Sequence, residues 1–133
     1  MTRQLITKGN TMSALQLALL PFGALTVFFM LASGTAKVLG QPAMRGAAQH
    51  FSIAWEQYRR IGYAEIAAAA AVVSGVWLHP VGLAAGLGVI ALMAGAITLH
   101  VRRGDSVKAM TPALLCLAAS VGYTALQLAA IAG

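Results

Sequence analysis

The chain has 133 residues, 59% of them hydrophobic and 9% charged, with nine Lys and Arg against three Asp and Glu for a net charge of +6. A soluble domain averages about 25% charged residues, and so short a chain has much surface to cover for its volume. The composition therefore excludes water as the solvent for most of this surface and leaves lipid. The basic surplus does not point to nucleic acid: the cations sit at the ends of apolar runs, not among aromatics on one soluble face.

Residues 1–12 read as an N-terminal tail and 13–133 as one membrane domain, with no linker and no internal repeat. A membrane-spanning helix needs about 20 mostly apolar residues. The first such run is 13–34. Arg3, Lys8 and the small residues of "ASGTA" resemble a cleaved signal. The apolar stretch is longer than the roughly 7–15 residues of a signal core, so a retained helix is predicted.

The connection 37–60 is long and patterned. Met44, Ala47, Phe51, Trp55 and Tyr58 recur every three or four residues, with Arg45, Gln49, Glu56 and Arg59 mostly opposite. That pattern predicts an amphipathic helix in the membrane interface, a depth that suits Trp55 and Tyr58. The second run, 61–78, is joined to the third, 81–101, by "LHP". Pro80 suits the first turn of a new helix, so the two form a tight hairpin. In "RRGDSVKAMTP", Gly104 is a helix stop and Thr111-Pro112 a helix start for the fourth run, 112–131. The predicted fold is all-α: a four-transmembrane-helix bundle with an interfacial amphipathic helix between helices one and two.

Gly82 and Gly86 form a GxxxG, and Ala91 and Gly95 continue its spacing. Helices associate in lipid through close backbone approach, so a compact bundle with little room for a wide pore is expected. The single cysteine, Cys116, lies in an apolar run, permits no internal disulfide and no CxxC pair, and reads as a small packed side chain.

Lys37, Arg45, Arg59, Arg60, Arg102, Arg103 and Lys108 fall on one side of the membrane, against Arg3 and Lys8 on the other. Positive charge marks the cytoplasmic side. Both long connections are therefore expected in the cytoplasm and both termini outside, in a multi-pass protein of the cell membrane.

Glu65 poses the chemical question, because it sits about four residues inside the second run, about 6 Å at 1.5 Å per residue. A carboxylate there needs a partner. Helix direction brings Lys37, Glu65, His100, Arg102, Arg103 and Asp105 to one end of the bundle. Tyr58, Gly62 and Glu65 share a helix face, and Gly62 admits another backbone or a small ligand. One reading is an ion-pair network that locks the helices. The other is a polar pocket in which Glu65 or His100 exchanges protons, as candidate catalytic groups, while Lys37, Tyr58, Gly62 and Arg102 bind an anionic or quinone-like head group. His50 reads as solvated, and His79 lies in the turn at the opposite end. The histidines have no metal-ligand spacing, and neither a serine–histidine–acid motif nor a phosphate loop is present. Tyr123 and Gln127 share a face of the fourth helix and are expected to hydrogen-bond between helices.

The stretches "FFMLASGTAKVLGQP", "YRRIGYAEIAAAAAVV", "LMAGAITLHVRRGD" and "TPALLCLAAS" resemble, in order and spacing, the DoxX-like family of small four-helix membrane proteins. The matching positions are Lys37, Gly62 and Glu65, Ala96 and His100, and Pro112. The resemblance implies a bacterial four-helix bundle. Some relatives are associated with quinone-linked sulfur oxidation or redox stress, and others resemble assembly factors. The missing CxxC argues against dithiol chemistry.

Three functions are expected in descending order. The first is an accessory subunit or assembly factor of a membrane complex, a redox complex among the candidates, with a membrane-protein partner or a second copy of itself. The second is a quinone-linked enzyme or redox subunit acting on a lipophilic substrate at Lys37, Glu65 and His100. The third is a small-solute transporter.

Overall fold

The computed structural model describes residues 12–133. The first eleven residues, with Arg3 and Lys8 of the charge count, lie outside the described residues. Five helices follow in order: α1 Ala14–Leu39, α2 Pro42–His50, α3 Trp55–Ser74, α4 His79–Arg102 and α5 Val107–Ala132.

The helix ends follow from local chemistry. Ser13 caps α1 with a reciprocal box: its hydroxyl accepts from the Gln16 N–H at 3.1 Å, and the Gln16 side chain accepts from the Ser13 N–H at 2.9 Å. Gly40, at φ 69°, ends α1 in the left-handed conformation that glycine adopts without a Cβ penalty. Gly104, at φ 68°, does the same after α4. The expected start of the last helix at Thr111-Pro112 is corrected. Ser106 caps α5 by accepting from the Ala109 N–H, and Pro112 lies inside the helix. Its ring displaces one bond, to the carbonyl of Lys108, on the exposed first turn where water can replace it.

The amphipathic helix expected across 37–60 is shorter. Its helical pattern breaks at Ser52, whose φ is 55°, and Trp55 and Tyr58 open α3 instead. The spacing stayed helical in the sequence because the break occupies about one helical turn of chain.

Four long helices close a ring. α1 packs on α3 and α5, and α4 packs on the same two, while α2 lies across one end against α1 and α3. Leu19, Met30, Val72, Val89, Cys116 and Tyr123 form the core. Phe28, Trp77, Leu87 and Leu128 point outward. Apolar side chains on both faces mark helices solvated by hydrocarbon. Three helices, α1, α4 and α5, are long and apolar enough to cross a membrane. The expected fourth, α3, falls short of that standard because its 20 residues include Glu56, Arg59, Arg60 and Glu65.

The α3–α4 turn is built on glycine. Gly75 and Gly82 bring the two backbones together so closely that a Cβ on either would collide with the other's Cα. The carbonyls left free at the end of α3 are satisfied by other helices. Tyr123 donates to Val72 O at 2.6 Å, Gln127 to Gly75 O at 2.7 Å and Gln16 to Val76 O at 3.1 Å. His79 Nδ1 lies 2.8 Å from Gln127 Oε1 in the same network. The interhelical role expected of Tyr123 and Gln127 is thus observed.

The other end is open. Gly86 packs against Thr124 and Tyr123, but a Cβ at Gly95 would meet nothing within 4 Å, and Ala91 is exposed. The small-residue spacing therefore stops serving helix contact halfway along α4. The compact bundle expected from it gives way to a cavity of about 1090 Å³.

Candidate functional site

The cavity occupies the end of the bundle where α1 finishes and α3 begins. Met30, Ser33 and Lys37 of α1, Tyr58 and Glu65 of α3, the outer half of α4 and the start of α5 form its walls. Met44, Ala47 and His50 of α2 cover its end. Most of this lining is apolar, and the polar side chains fall into two groups.

The deeper group is built around Glu65. It is 3% exposed and Lys37 is 6% exposed. Lys37 Nζ lies 3.1 Å from Glu65 Oε1 and 3.2 Å from Oε2. Its ammonium also donates to the Ser33 hydroxyl and sits 5.0 Å from the Tyr58 ring centre. An ammonium has three N–H donors, so these contacts fully engage it. Lys37 reaches Glu65 because Gly34 and Gly62 let α1 and α3 approach. A Cβ on Gly62 would stand 2.9 Å from Gly34 O and 2.7 Å from Lys37 Cβ. Gly62 therefore serves a helix contact and lies off the cavity wall.

The second group lies at the water-facing end. Asp105 Oδ1 is 2.8 Å from His50 Nε2, and its Oδ2 is 2.7 Å from His100 Nδ1. A carboxylate only accepts, so both imidazoles present N–H to it. The hydrogen bond from His100, aided by that from His50 against partial desolvation, holds the Asp105 carboxyl below its ordinary range. The Phe51 ring sits 5.0 Å from each imidazole. Arg103 donates to Ser52 Oγ at 2.6 Å, and Arg102 is exposed at the cavity rim.

The single converging knot expected from the sequence is thus two clusters on one cavity. Lys37, Tyr58 and Glu65 come together, whereas His100 turns to Asp105 and neither Arg102 nor Arg103 pairs with Glu65. His50, expected to be merely solvated, is a partner of Asp105. No local spacing announces that pair, because 55 residues separate its members. Among the described residues, no group of three or more His, Cys, Asp or Glu side chains is arranged to hold a metal ion.

Fold and site together define a small multi-pass membrane protein with a largely apolar cavity toward one end of its helices. Residues 22–132 match the DoxX-like family, and the chain belongs to it. It is also 35% identical, over 94 residues, to the uncharacterized protein YdgD of Bacillus subtilis (strain 168), an alignment covering 70% of this chain and 82% of that one. No solved structure matches the chain.

Proposed function

We propose that this protein is an accessory subunit of a membrane redox complex and holds a lipophilic, quinone-type molecule in its cavity. The carrying observation is the cavity of about 1090 Å³, whose walls are mainly apolar and whose polar groups are gathered at one end. Pockets for small molecules commonly measure roughly 300–1,000 Å³ and combine apolar walls with a few placed polar groups. The isoprenoid or acyl part of the ligand lies against Phe29, Leu92 and Leu99. Its head group lies between the Lys37–Glu65 pair and His100. Because Lys37 is engaged by Glu65 and Ser33, an uncharged head group suits the deep end better than an anion.

In this reading α3 is the fourth span, carried across by its contacts with α1 and α4, and 13–133 forms one domain. Every Lys and Arg among the described residues lies at the cavity end. By the positive-inside rule that end is cytoplasmic and both termini are outside, in a bacterial inner membrane.

The test is mass spectrometry of lipophilic molecules that co-purify in mild detergent, from wild type and from Ala96→Phe, which puts a ring into the cavity between its apolar wall and its polar end. A quinone-type molecule retained by wild type and lost from the folded variant is the expected result. Equal amounts in both would refute the reading.

A second reading is a purely fastening subunit. It is supported by the saturated Lys37 contacts and by the exposed Gly88, Ala91 and Gly95 of α4, which offer a close seat to a helix of a partner or a second copy. It predicts a co-purifying membrane protein that Gly88→Leu releases, with no small molecule retained. A solute pathway ranks last, since the described charged side chains gather at one end.

A further inference from the structure

We propose that α2 is a latched cap that controls access from water to the cavity, and that Asp105 is the latch. This goes beyond the ligand-binding reading and holds whatever molecule the cavity takes. α2 is rooted on one side of the ring, where it touches α1 and α3. From there it reaches over the cavity to the α4–α5 loop on the other side. Its grip on the bundle is slight, since Ala48 is its one buried residue. Both flanking turns contain a residue with positive φ, Gly40 at 69° and Ser52 at 55°. Outside glycine this conformation is unfavourable, so the Ser52 turn needs support from its surroundings.

That support is polar and lies at the far rim. His50, the last residue of α2, meets Asp105 at 2.8 Å, and Asp105 is anchored in turn by His100 of α4 at 2.7 Å. Arg103 holds Ser52 itself at 2.6 Å. These two contacts tie the C-terminal end of α2 and the turn that follows it to the α4–α5 loop. They are exposed to water, with the His50 side chain 49% accessible, so they can break without leaving a charge in hydrocarbon. Because α2 is joined to α1 through Gly40 and to α3 through the Ser52 turn, rotating it on these two turns would uncover the aqueous mouth while leaving the ring, and the Lys37–Glu65 pair within it, in place.

Cys116 provides a built-in reporter. It lies on the cavity wall, is fully buried, and is the chain's single cysteine. A charged, membrane-impermeant methanethiosulfonate reaches it from water by way of the mouth. N-ethylmaleimide, being lipophilic, also reaches it from the bilayer side, where Gly88, Ala91 and Gly95 leave the wall exposed. The experiment compares the two labelling rates at one pH in proteoliposomes of the full chain, for wild type, Asp105→Asn, His50→Ala and Arg103→Ala. Loss of a charge-assisted contact should speed the impermeant reagent about tenfold or more and leave N-ethylmaleimide within about twofold. Unchanged impermeant rates would overturn the latch. Equal acceleration of both reagents would overturn it too, as general loosening of the bundle. His50→Ala keeps the test valid if Asp105→Asn folds poorly, because it alters an exposed helix end. The readout involves no ligand, so it can fail while the ligand-binding reading stands, and the reverse.

Discussion

Replacing Lys37 by Met removes the ammonium and keeps most of the stem that lies against Gly62. At 3.1 Å and an effective dielectric of about 20, the attraction within the Lys37–Glu65 pair is roughly 5 kcal/mol. Desolvation of two nearly inaccessible groups offsets most of it. The single substitution, however, leaves Glu65 buried with the Ser33 hydroxyl as its remaining polar neighbour, so the expected loss is about 3–5 kcal/mol. Glu65→Leu added to Lys37→Met removes the stranded carboxylate and should bring stability back to within about 1 kcal/mol of wild type. Unfolding of the four proteins by dodecyl sulfate in mixed micelles, followed by far-UV circular dichroism, completes the cycle. A Lys37→Met variant as stable as wild type, or a double variant that loses the sum of the two single changes, would refute the account of Glu65 as a carboxylate held by one buried cation.

Other consequences can be measured in the same way. Gly62→Ala forces α3 away from Gly34 O and Lys37 Cβ and should destabilise by about 1–3 kcal/mol, whereas Gly95→Ala, which meets nothing, should change stability little. Tyr123→Phe leaves Val72 O without its donor inside the bundle and should cost about 1–3 kcal/mol. Ser106→Ala removes the cap of α5, at about 1 kcal/mol. Asp105 gives a pH dependence of defined sign. Its folded-state carboxyl titrates below the ordinary 3.8, so its contribution is fully present above that value and is lost as pH falls through the depressed one. Thermal melts of wild type and Asp105→Asn should therefore converge in strong acid; a gap that persists there would contradict this.

Much of the site was legible from helix direction. An antiparallel path places the end of α1, the start of α3 and the end of α4 together, and a carboxylate inside an apolar run needs a cation. Lys37 and Glu65 follow from those two facts. His50 and Asp105 do not, because a contact between residues so far apart depends on where α2 lies. Ser52 concealed the cap, since its left-handed turn interrupts the helix without disturbing the apolar spacing on either side.

Composition alone determined that lipid bathes this chain, and periodicity determined that helices cross it, because burying backbone polar groups in hydrocarbon leaves helices as the solution for such apolar runs. Tertiary structure alone decided which small residues pack and which line empty space. Gly82, Gly86 and Gly95 are alike in sequence, yet the first two meet neighbouring helices and the third meets none. The reason is geometric: Gly75 and Gly82 meet at the α3–α4 turn and Gly86 meets Tyr123 and Thr124 of α5, whereas Gly95 lies beside the cavity at the other end, and no local pattern encodes which neighbour each one faces.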